Sequence, residues 1–145
     1  MSVEIGIHFE VRPDREVIER LVGPTMSALL GDQMVAAWMD GSPDLWTVNW
    51  GGAASAQIVF IPPGLHEFAD RWFASVSPGE RGLDLSLLLA EVVAILIAVV
   101  CDGQIVDELE LLGGKPGTGG QLLIRAFNNR NKSAKEIVAA LRIPN

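Results

Sequence analysis

A single cysteine, Cys101, is the first scarcity in this 145-residue chain, and it excludes a fold stapled by disulfides. Basic residues are also few: eleven Lys and Arg stand against eighteen Asp and Glu, for a net charge of −7. Phosphate backbones reward an excess of Lys and Arg, so this balance speaks against nucleic-acid binding. The amino terminus, Met1-Ser2-Val3-Glu4-Ile5, lacks the basic-then-apolar order of a secretory signal, which predicts a cytoplasmic protein. Apolar residues, by contrast, are plentiful. Hydrophobic residues make up 49% and charged ones only 20%, enough for one continuous core and too apolar for a disordered chain. Domains of about 100–200 residues are the norm, so the length predicts one domain over residues 1–145.

Complete motifs of cofactor or catalytic chemistry are also missing. In the glycine-rich stretch 113–120, Lys115 is followed by Pro116 where a phosphate-binding loop needs Ser or Thr, and no helix opens directly after it as a dinucleotide site requires. His8 shares a strand face with Glu4 and Glu10, but a metal site draws three or four ligands with support behind them, so an exposed polar face is expected. His66 with Asp70 and Glu67 with Arg71 are helical-turn pairs on a solvated surface. No Ser–His–Asp or Cys–His arrangement can be assembled. Glu91 stands out as an acid within an apolar run. A desolvated carboxylate can serve as a general acid or base, and it can equally be a structural ion pair. The reading is therefore no cofactor, no metal and no catalytic residue, with a small enzyme built on Glu91 or His8 as the alternative.

The pattern of apolar residues predicts the elements. Val3, Ile5, Ile7, Phe9 and Val11 alternate with polar residues as a half-buried strand does. Pro13 and Asp14 open a helix with Val17, Ile18, Leu21 and Val22 on its apolar stripe, interrupted at Gly23-Pro24 and stopped by Gly31. Met34–Met39, a strand with Trp46, Val48 and Trp50 on one face, and Ala56–Ile61 read as a meander, the last central because Ile58–Ile61 is apolar on both faces. A helix is expected from about Leu65 to Ser75. Leu83–Cys101 has a membrane span's length, but Asp84 and Glu91 within it favour a buried helix from about Asp84, with Cys101 buried at its end. A hairpin at Asp102-Gly103 competes for Ile95–Cys101. Gln104–Leu112 and Gln121–Phe127 read as strands, and Ser133 with Glu136 forms a capping box for a last helix. The sum is an α+β domain with a mainly antiparallel sheet, a long buried helix and shorter flanking helices.

Charge is divided along the chain: residues 1–110 carry −12 and residues 111–145 carry +5. The basic tail either folds back on the acidic body or forms an interaction surface. The run Leu87–Glu108, an alanine-rich helix, a break and a short strand ending in Ile-Val-Asp-Glu, resembles the helix-to-strand junction of small bacterial immunity proteins of polymorphic and contact-delivered toxin systems. The resemblance implies an acidic cytoplasmic α+β protein that binds a toxin and occludes its active site, and it transfers no site residue. On this reading the acidic body meets a cationic toxin domain. Trp38 and Trp46, ringed by Asp40 and Asp44, have the composition of an interface anchor. A module that dimerises through its apolar surface is the other reading.

Overall fold

The computed structural model describes residues 4–31, 37–65, 70–107, 112 and 119–143. It is an α+β fold: six strands form one antiparallel sheet, joined by a 19-residue helix and three shorter ones. The elements are β1 (Ile5–Phe9), α1 (Arg15–Leu30), β2 (Ala37–Ser42), β3 (Leu45–Trp50), β4 (Ala54–Ile61), β5 (Trp72–Pro78), α2 (Leu83–Cys101), β6 (Gln104–Val106), α3 (Gly119–Asn128) and α4 (Ala134–Leu141). In space the strands run β2-β3-β4-β5-β1-β6, so the first strand lies between two much later ones.

Alternation decides which side of the sheet is buried. Ile5, Ile7 and Phe9, Trp46, Val48 and Trp50, Ala56, Ile58 and Phe60, and Ala74 and Val76 all point into the core. Helix α2 lies on that side, against β1, β4 and β5, with α1 beside it and α3 and α4 packed on it. Residues 88–98 of α2 are buried on every side, as a helix between a sheet and other helices must be. This is the one helix among the described residues long and apolar enough to cross a membrane, and 67% of its apolar window is buried in the fold. Helices α3 and α4 pack on α2, so the described part of the C-terminal basic segment folds back on the body.

Several expected boundaries move, each for a visible reason. Residues 66–69 of the helix expected at Leu65–Ser75 lie outside the described residues, and its second half is strand β5. Trp72–Pro78 also alternates, and pairing with β4 on one side and β1 on the other outweighs the helical spacing. Gln121–Phe127 is not a strand but the body of α3. A strand would have buried Leu122, Ile124 and Ala126 together, whereas Ile124 is 63% exposed. The buried stripe is Gly119, Leu122 and Ala126, the spacing of a helix. Gly119 is needed there, because a Cβ would sit 3.0 Å from atoms of Ile95, Ala98 and Val99.

Pro24 does not interrupt α1. It lies on the exposed side, where the carbonyl one turn earlier needs no protein partner. Asp84 is in the first turn of α2 rather than at its cap, which is Gly82 in a left-handed conformation (φ +60°). Helix α2 runs on to Cys101, so Ile95–Cys101 is not part of a hairpin. β4 is internal in the sheet, yet Val59 is 41% exposed, so only one of its faces is buried. The capping box is present: Ser133 and Glu136 bond reciprocally at the start of α4. Most of the glycine-rich stretch lies outside the described residues.

Candidate functional site

The second face of the sheet has no described element packed on it. Its residues are set by strand parity: Trp38 and Asp40 on β2, Leu45, Thr47 and Asn49 on β3, Ser55, Gln57 and Val59 on β4, and Phe73, Ser75 and Ser77 on β5. Register lines these into rows. Trp38 neighbours Asn49, which neighbours Ser55; Asp40 neighbours Thr47, then Gln57, then Ser77. The six strands together hold no Lys or Arg and one acid, Asp40. The face is therefore a field of hydroxyls and amides with an exposed indole and a carboxylate at one edge. At the Trp38 corner it dips into a cavity of about 640 Å³.

The structure divides the expected anchor. Trp38 (45% exposed) and Asp40 lie on the uncovered face. Trp46 points the other way, 4% exposed, and packs edge-on against Phe60 at 4.5 Å between ring centres. Asp44, in the β2–β3 turn, pairs with Arg12 at 3.3 Å. Sequence alternation separates Trp46 from Thr47 correctly, but it cannot relate β2 to β3 without the register. That register puts Trp38 and Trp46 on opposite sides of one sheet.

Arg12 carried no sequence signal. Its guanidinium lies 4.2 Å from the centre of the Phe60 ring, 5.1 Å from Trp72 and 5.6 Å from Trp46. It also donates to the Pro43 carbonyl. A cation among three aromatic rings and one carboxylate is well matched electrostatically, and here it ties the β1–α1 connection to the β2–β3 turn.

The two candidates for catalysis lie apart from this face or are hidden in it. Glu91 has no exposed surface, and neither carboxylate oxygen has a hydrogen-bond partner among the described residues. Burial pushes its carboxyl well above the usual carboxylate range. The positive charge of Arg142 offsets part of that shift, and the negative charge of Asp107 adds to it. Burial thus favours the protonated form of Glu91 inside the fold. His8 is buried rather than exposed, 9% accessible, flanked in register by Phe73 and Gln104. Glu10, expected beside it, reaches outward to Arg71 at 3.7 Å. Among the described residues no three of His, Cys, Asp and Glu come together to hold a metal. Cys101 is half-buried rather than enclosed, and desolvation raises its thiol to about 11.

Comparison with protein-family models, with curated proteins and with solved structures finds no match for this chain.

Proposed function

We propose that this chain is a cytoplasmic binding protein of the immunity type, which neutralises a bacterial toxin domain by covering its cationic active-site cleft. The observation that carries the reading is the uncovered sheet face, where an exposed Trp38 stands beside Asp40 on strands without a single Lys or Arg. Tryptophan is enriched at interface hot spots, and a carboxylate beside it adds charge complementarity toward a positive surface. The −7 charge of the whole chain favours association with a positive surface. Enzymes that attack RNA, DNA or nucleotides carry such surfaces.

The test is kinetic. With a toxin domain that the chain is found to neutralise as the partner, association should slow as salt rises, and Asp40→Asn should slow it further. Trp38→Ala should mainly speed dissociation. A rate indifferent to salt and to both substitutions would refute the assignment of this face.

A further inference from the structure

The corner of the uncovered face beside Trp38 has the properties of a built site. Its cavity of about 640 Å³ falls within the roughly 300–1,000 Å³ usual for small ligands. Trp38 forms one wall, and Thr47, Asn49 and Gln57 lie along the floor. The opposite wall comes from the Gly51–Gly52 turn and the segment after β5, through Gly79, Glu80 and Arg81.

That wall is fixed. The Gly79 N–H donates to the Ser55 carbonyl at 2.8 Å, and Arg81 donates to the Gly52 carbonyl at 3.2 Å. Ser86, with no exposed surface, accepts from the Ser55 N–H at 3.1 Å and donates to the Arg81 carbonyl. Glycine permits the close approach: a Cβ on Gly79 would fall 2.0 Å from Ser55 Oγ, and one on Gly82 would fall 2.6 Å from the Ala53 carbonyl oxygen.

The lining selects the ligand. Among the described residues, the side chains of Thr47, Asn49 and Gln57 form no hydrogen bond within the protein. Each both donates and accepts. An anion would call for several cationic donors and a cation for acceptors alone; groups that do both match hydroxyls. The charges at the rim, Glu80 and Arg81, are opposite in sign. Trp38 offers a flat apolar face with a polar edge, against which the C–H surface of a sugar ring can lie.

The geometry points to a binding site for a neutral mono- or disaccharide, one ring lying on Trp38 and its hydroxyls hydrogen-bonded to Thr47, Asn49 and Gln57. This site goes beyond the partner-binding reading and stands without it.

The full chain can be titrated with cellobiose, maltose and N,N′-diacetylchitobiose, and in parallel with arginine amide and adenosine. Tryptophan fluorescence and backbone amide resonances provide the readouts. At least one disaccharide should give saturable changes at Thr47, Asn49, Gln57 and Arg81 that do not weaken as salt rises. Trp38→Ala should weaken that binding about tenfold, and Gln57→Ala should weaken it several-fold, both with unchanged circular dichroism. The site is overturned if no disaccharide shifts these residues, if arginine amide or adenosine binds in preference, or if binding survives Trp38→Ala. Failure of the partner reading is seen separately, because Asp40→Asn should slow association with the protein partner and leave saccharide binding unchanged.

Discussion

Three single residues carry physical tensions that can be measured. Burial raises the folded pKa of Glu91 well above its ordinary range, so between the unfolded and folded values the fold favours the protonated acid while the unfolded chain is ionised. The native state then holds the extra proton, so its contribution to stability is complete below the ordinary carboxylate pKa and declines as pH rises toward the folded value. Glu91→Leu removes the buried carboxyl, whose two oxygens have no hydrogen-bond partner among the described residues. Chemical denaturation should show the variant to be more stable at neutral pH by about 1–3 kcal/mol, with a flatter pH profile. An unchanged profile would mean that the carboxyl is solvated in solution. Cys101 makes a different case: it is partly accessible, but its thiol is raised to about 11, so the reactive thiolate is scarce. Thiol titration should be slow near neutrality and accelerate about tenfold per pH unit up to that value. Arg12 is the reverse of Glu91, a charge well supplied with partners. Arg12→Ala should cost about 1–2 kcal/mol, the range of a partly desolvated cation–π contact, and Lys should restore little because it lacks the flat guanidinium.

At the scale of elements, the edge of the sheet shows how a helix can guard a strand. β2 has β3 on one side only, a condition that invites pairing with another chain. Helix α1 occupies the open side: Glu19 accepts from the Met39 N–H at 2.8 Å, and Arg15 donates to the Gly41 carbonyl at 3.2 Å. The spacing makes this feasible, because four helical residues rise about 6 Å and two strand residues about 6.8 Å. Removing both guards, Arg15→Ala with Glu19→Ala, should leave the fold intact and make sedimentation concentration-dependent through edge pairing. A chain that stays monomeric at high concentration would show that the edge is protected by something else. This device also marks the limit of what the sequence discloses. Short-range signals were legible: the alternation of β1, the turn after Ser42, the left-handed stop at Gly31, the unbroken apolar α2 and the box at Ser133 and Glu136. Where two periodicities overlapped, long-range pairing decided, as in Trp72–Pro78, and packing on α2 turned Gln121–Phe127 into a helix. For the candidate face, parity within each strand could be read, but the cavity beside Trp38 depends on the register of three strands and on the Gly79–Arg81 wall. No local pattern encodes either.

The molecule as a whole is lopsided. One side of the sheet carries α2 and α1, with α3 and α4 packed on α2, and the other carries no described element, so its buried and uncovered sides differ in chemistry as sharply as its acidic and basic segments differ in charge. Any charge-driven partner should therefore bind with strongly salt-dependent association, whereas a ligand held by hydroxyls and an indole should not respond to salt. The strand order has one more outcome, in the time a ribosome takes. β1 is made first, but both of its neighbours, β5 and β6, end at Pro78 and Val106. At about 5–20 residues per second, translation leaves the apolar Ile5–Phe9 without a strand on either side for several seconds after it is made. The meander of β2, β3 and β4 can close on itself during that interval, while the first strand waits. A nascent chain arrested before Trp72 should accordingly bind chaperones through its first strand, and one extended past Val106 should release them.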